Sequence, residues 1–240
     1  MTASPAPLGF GLMCKPPRPG ATKTRLAATI GPAAAALLSR AFLADCAGAA
    51  LDAAGVSALM PMAFYRPADG GDEVSKVLGP HWPLFHADAG DLGATMFEVL
   101  GRLLAHCPAG AIIMGADVPM ITSAQIAEAA SRLREGDEHT VVMIPSVDGG
   151  YCLLGLRSLV AAAPLLEPMA WSTPAVLRET LARAEAHGLR PVVLPAQRDI
   201  DDIDDLRWLR LALAANQQAA PATRAALAER LEPGVWVAED

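Results

Sequence analysis

Short apolar runs alternate with longer helix-patterned segments along almost the whole chain, and this alternation constrains the fold more than any other feature. Leu8 to Cys14 is apolar or glycine at every position, as a strand buried on both faces requires. Pro32 to Ala54 is alanine-rich and helical in pattern, with proline at its start and Gly55 placed to stop it. Val56 to Met62 reads as a second strand and Arg66 to Lys76 as a polar, mobile surface loop. Trp82 to His86 reads as a third strand, and Leu92 to His106 as a helix with apolar residues at helical spacing. Ala111 to Met114, Thr140 to Ile144, Tyr151 to Leu156 and Pro191 to Leu194 are the remaining strand candidates. Helices are expected from the Thr122 cap to Arg134, from Pro174 to about His187 behind the Ser172 and Thr173 hydroxyls, and from Ile203 to Ala215. The order specifies an α/β fold with a mainly parallel sheet covered on both faces. No repeat or linker interrupts it. Residues 1–216 read as one domain and 217–240 as a helical C-terminal appendage.

Composition removes several classes. A chain of 240 residues, 52% hydrophobic, can bury a full core and is not a disordered polymer. No apolar run is read as approaching the ~20 residues of a membrane span. The first residues lack a basic segment followed by a long apolar one, so a cytoplasmic location without a membrane partner is expected. A net charge of -7 argues against nucleic-acid binding. Cys14, Cys46, Cys107 and Cys152 form no CxxC pair, and the five histidines show no ligand spacing, so a structural zinc site is not expected.

Against that acidic background, Lys15, Arg18, Lys23 and Arg25 fall within eleven residues, before any acidic side chain. Pro16, Pro17 and Pro19 stiffen the segment, and Gly20 lets backbone approach a ligand. A rigid, donor-rich loop after a buried strand suits a phosphate or diphosphate; the alternative is a solvated basic turn. It is not a P-loop. That motif needs glycine directly before the lysine and again five residues earlier, where this chain has Thr22 and Pro17.

Acidic residues follow three strand candidates, where ligands of open α/β sheets bind. Asp117 lies in Gly-Ala-Asp-Val-Pro, Asp148 in Val-Asp-Gly-Gly-Tyr, and Asp199 and Asp201 in an Asp-rich stretch running to Asp205. Carboxylates are hard donors suited to Mg²⁺ or Mn²⁺. Each also has a structural alternative: an Asx-turn at Asp117, a hairpin turn at Asp148, a helix cap among Asp202, Asp204 and Asp205. Asp201 is the ligand candidate of that cluster.

In order, these motifs resemble the DUF2064 family of small bacterial GT-A-type glycosyltransferase-like proteins, some labelled as arsenosugar-biosynthesis glycosyltransferases. The basic loop matches from Lys15 to Leu26, a Gly-Asp-Leu-Gly helix start from Gly90 to Gly93, and Gly-x-Asp-x-Pro from Gly115 to Pro119. Asp-Gly-Gly-Tyr matches from Asp148 to Tyr151, Trp-Ser-Thr from Trp171 to Thr173, and the Asp-Ile-Asp close from Asp199 to Leu206. The resemblance implies a nucleotide-diphospho-sugar transferase fold and transfer of a sugar from a nucleotide-sugar to a small acceptor. It implies that Lys15, Arg18, Gly20, Lys23 and Arg25 grip the phosphates, with Gly90 and Asp91 near the nucleotide. A divalent metal, Mg²⁺ or Mn²⁺, would be held by Asp117 with Asp201. Asp148 is the candidate acceptor-orienting group or general base, with Gly149, Gly150, Tyr151, Trp171, Ser172 and Thr173 on the acceptor side. The chain departs from the family pattern at Ala94-Thr95, at Ile144 to Val147, at Cys152 and at Asp202-Ile203, which bears on donor affinity and acceptor choice. Two further readings stay open: a nucleotidyltransferase similar to 2-phospho-lactate guanylyltransferases, and a non-catalytic nucleotide-binding protein.

Overall fold

A computed structural model describes residues 5–230 of the chain. Its centre is a seven-stranded sheet in the order β3-β2-β1-β4-β6-β5-β7. The strands are β1 (Leu8–Cys14), β2 (Leu59–Tyr65), β3 (Leu84–His86), β4 (Ala111–Gly115), β5 (Thr140–Pro145), β6 (Tyr151–Leu156) and β7 (Arg190–Val193). Every neighbouring pair is parallel except those made by β6, which runs against both β4 and β5. The carboxyl ends of the six co-directional strands therefore open on one edge, and the start of β6 joins them there.

The alternation within β1 sets the two faces. Leu8, Phe10 and Leu12 are fully buried on the side of α2 (Pro32–Ser57) and α5 (Ser123–Glu135). Gly9 and Gly11 face the other side. A Cβ on either would stand 3.0 Å or less from Leu103 of α4 (Leu92–His106), so the missing side chains let that helix lie close to the sheet. Helices α6 (Leu159–Leu166) and α7 (Val176–Ala186) complete the α4 face. A third apolar cluster joins α1 (Thr24–Ile30), the first half of α2, α8 (Ile203–Ala215) and α9 (Pro221–Arg230).

The sequence reading needs correction in places. Gly55 does not stop α2, which runs to Ser57 and ends on Ala58 in the left-handed conformation at φ 45°. One glycine penalises a helix by only about 1 kcal/mol, and the strand pairing Leu8↔Leu59 starts later than expected. Arg66 to Lys76 is not a loop: residues 68–70 form a 3-10 turn and α3 (Gly71–Leu78) follows, with Val74 and Leu78 buried one turn apart. Pro174 does not begin α7; its backbone packs against Gly149 instead. Helix α2 is also long and apolar enough to match a membrane span by length and composition, against the expectation, and 61% of that stretch is buried inside the domain. Within it the buried Asp45 carboxylate accepts bonds from the Ala222 and Thr223 amides at the start of α9. Residues 217–230 are thereby tied to the domain, while 231–240 and the extreme N-terminus lie outside the described residues.

Candidate active site

A cleft of about 970 Å³ opens at the carboxyl edge of the sheet, within the size range of small-molecule sites. One wall comes from the end of β1 and the loop after it: Cys14, Lys15, Thr22, Lys23 and Arg25. Asp117 beyond β4, Asp148 and Gly150 of the β5–β6 turn, Tyr151 at the start of β6, and Trp171, Ser172 and Thr173 also line the cleft. Asp199 and Asp201, beyond β7, close the ring. The Ile200 amide donates to the Asp117 carbonyl at 3.0 Å, which fixes these two loops to each other.

The charges inside are coupled. Lys23 Nζ lies 2.9 Å from Asp117 Oδ1 and 2.7 Å from Asp201 Oδ1, with the lysine side chain only 4% exposed. Arg25 pairs with the other oxygen of Asp201. Burial pulls the Lys23 pKa down, but the two carboxylates outweigh it and the net direction is up, so the ammonium is charged. Burial likewise opposes ionisation of Asp201, and Lys23 and Arg25 overcome it, holding that carboxyl below its usual range. Lys23 adopts a left-handed backbone at φ 49°, as does Ser172 at φ 62°. Two non-glycine residues in this costly region thus face one cleft, a pattern common at functional sites. The buried Thr22–Ser39 hydroxyl contact at 3.0 Å anchors the loop beneath Lys23.

Beside Arg25 and the Asp199–Asp201 loop, Asp148 accepts the Gly150 amide at 2.9 Å, so it closes the β5–β6 hairpin turn and also lines the cleft. Gly149, at φ +94°, has no room for a Cβ: the Pro174 carbonyl would lie 2.4 Å away. Its own carbonyl accepts from Leu177 at 2.8 Å, so the turn carries the 171–174 segment with it. Trp171 in turn lies against Gly93, where a Cβ would meet the indole at 2.5 Å. Glycines of two separate motifs therefore position one tryptophan wall. Among the described residues the buried Trp171 indole N–H has no hydrogen-bond partner, and the buried Tyr151 hydroxyl has Thr180 as a polar neighbour. Burial pushes the Tyr151 phenol up, so it is a neutral donor.

Several expected site residues stand elsewhere. Arg18 turns away and bonds Glu73 at 2.7 Å and Asp69 at 2.9 Å, holding α3. Gly20 is an exposed turn glycine at φ +77°. Asp91 caps α4 through the Ala94 amide, with Gly90 just before it, and neither lines the cleft. Gly149 supports the wall without lining it. Polar lining residues outside the candidate set include Arg66, Ser146 and Asp199, the last placed at a strand end by the sequence but passed over in favour of Asp201. Ser146 Oγ donates to Asp199, whose carboxyl is raised by burial and then by the Asp148 and Asp201 charges. The signal for Asp199 was available. In Asp-Ile-Asp, the central Ile200 is fully buried, and in an extended segment that alternation turns both carboxylates to the opposite face. Cys14 and Cys152 also line the cleft, but burial pushes each thiol up to about 12, so neither is a nucleophile.

The sequence profile of DUF2064, described as an uncharacterized protein conserved in bacteria, matches residues 49–173, just over half of the chain. The chain belongs to the DUF2064 family. The DUF2064 match includes the Gly90, Asp117, Asp148 and Trp171 motifs, while the basic loop and the Asp199–Asp201 segment lie outside it. No curated protein matches the chain. Among solved structures, a protein from Desulfovibrio desulfuricans G20 provisionally assigned as a nucleotide-diphospho-sugar transferase is similar at TM-score 0.81 and 25% identity, over 92% of this chain and 94% of its own. A cytidylyltransferase from Leptospira borgpetersenii serovar Hardjo-bovis superposes at TM-score 0.59 and 12% identity, over 98% of this chain and 99% of its own. A CMP:2-keto-3-deoxy-manno-octonic acid synthetase solved with CTP does so at 0.57 and 12%, over 88% and 99%. This DUF2064 chain thus has the nucleotide-diphospho-sugar transferase fold.

Proposed function

We infer that this protein is a transferase that takes a sugar from a nucleotide-diphospho-sugar and passes it to a small acceptor. The observation that carries this reading is one cleft with two unlike sets of side chains. The first is cationic (Lys15, Lys23, Arg25) and pairs with Asp117 and Asp201; the second is Tyr151 and Trp171, and Asp148 shares a small recess with Arg25 and Asp201. A diphosphate fits the first and a hydroxyl acceptor the second. Lys15 and Arg25 would offset charge as the nucleoside diphosphate departs. Asp148 would orient the acceptor hydroxyl and take its proton. Arg66, lining the cleft from just beyond β2, adds a cation whose guanidinium lies 3.6 Å from Asp88.

A divalent cation fits the donor set. Asp117 and Asp201 offer hard oxygens that converge on one cation-sized point, the position of the Lys23 ammonium. Among the described residues no cluster of three or more His, Cys, Asp or Glu side chains is arranged as a metal site, so phosphate oxygens would complete the shell. When bound, the metal would supply Lewis-acid stabilisation of the leaving diphosphate.

The test is a release assay across UDP-, GDP- and CDP-sugars with Mg²⁺ or Mn²⁺. Liberation of nucleoside diphosphate supports the reading; silence across the panel overturns it. Nucleotidyl transfer is the second reading, favoured by the nucleotidyltransferases among solved structures of this fold. It predicts pyrophosphate release from a nucleoside triphosphate with a phosphorylated acceptor. If no nucleotide or nucleotide-sugar raises the melting temperature, both enzymatic readings fall.

A further inference from the structure

The most deeply buried cation of the basic loop points at the carboxylates, not at the open cleft. Asp117 reaches Lys23 from beyond β4 and Asp201 from beyond β7, and the ammonium fills the point where they meet. The lysine is held there from behind: its backbone is left-handed, the Thr22 and Ser39 hydroxyls pin the preceding residue, and Arg25 occupies the remaining oxygen of Asp201. An ammonium and a divalent cation cannot share that point, because they would compete for the same oxygens and repel each other. Phosphate acts the other way. It attracts the lysine and offers a metal the oxygens that two carboxylates alone lack.

We propose that Lys23 is a built-in stand-in for the metal: in the nucleotide-free protein its ammonium blocks divalent cations from Asp117 and Asp201, and the phosphates of an incoming nucleotide draw it off so that metal and nucleotide enter together. The proposal rests on the reading that these two aspartates hold the metal. It makes metal and nucleotide binding positively coupled, and reciprocally so. The lysine then serves twice, first as a block on the empty site and afterwards as a phosphate contact.

The experiment is Mn²⁺ binding to the full chain without nucleotide, read from the electron paramagnetic resonance signal of free Mn²⁺. The wild type, Lys23→Met and Lys23→Gln are compared, after melting curves show which variants fold. Relief of the block should tighten Mn²⁺ binding on the order of tenfold or more in the variants, and adding Asp117→Asn to Lys23→Met should remove the gain. Equal Mn²⁺ affinity in the wild type and a folded variant overturns the block but leaves the metal site standing. Tight Mn²⁺ binding by the nucleotide-free wild type overturns it regardless of how the variants behave. If wild type and variants all fail to bind Mn²⁺ with UDP, GDP and CDP as well as without, the metal reading itself fails and the proposal with it.

Discussion

At the scale of single residues, the cleft is a small circuit of charges in which each carboxyl has a different task. Asp201 is ionised by Lys23 and Arg25, so its contribution to stability is present above the ordinary carboxylate range near pH 4 and fades as pH falls through its depressed folded value. Asp199 is the reverse case. Burial, with Asp148 and Asp201, raises its pKa, so its charge subtracts from stability at neutral pH and stops doing so below about pH 4. Asp199→Asn should therefore raise the melting temperature at pH 7, on the order of 2 °C, and give no gain at pH 3. Asp201→Asn should lower it at pH 7. Differential scanning calorimetry across that range checks both signs. Lys23→Ala and Asp117→Ala should each weaken nucleotide-sugar binding about tenfold or more by isothermal titration, and parental affinity in both would mean that the donor binds elsewhere.

At the scale of elements, glycines connect the motifs. Gly93→Ala drives a methyl group into Trp171 and the Leu166 carbonyl, a change expected to cost about 1–3 kcal/mol in chemical denaturation. It should also alter tryptophan fluorescence. Arg18→Ala should leave nucleotide affinity within twofold of the parent, because Arg18 serves Asp69 and Glu73; limited proteolysis should instead show cleavage in residues 66–78. The strands and long helices were legible in the sequence because their periodicity is set by burial: β1, α4 and α5, with its Thr122–Gln125 capping box, stand where the pattern predicts. Helix α3 was hidden because just two buried residues, Val74 and Leu78, mark a face in a polar stretch. The partners of Arg18 and Asp91 were illegible for another reason. Charge and spacing say that a side chain can meet phosphate, but only the chain path says whether a nearer partner has already taken it.

At the scale of the whole molecule, the tertiary structure overrides one strong local signal. Helix α2 resembles a membrane span in length and composition, yet Asp45 within it receives the first amides of α9 at 2.9 and 2.8 Å. Asp45→Ala should leave those donors unpaired and destabilise the domain by about 1–2 kcal/mol, with hydrogen exchange rising in α9 before the sheet. The reversed strand β6 has a different consequence. Because it runs against its neighbours, the turn that feeds it lies at the mouth of the cleft, while its far end, at Leu156, lies on the opposite edge. Residues inserted beside the exposed Val147 would lengthen the rim without sliding any strand past another. The length of this one hairpin tip can therefore vary at the rim of the cleft while the register of the sheet stays as it is.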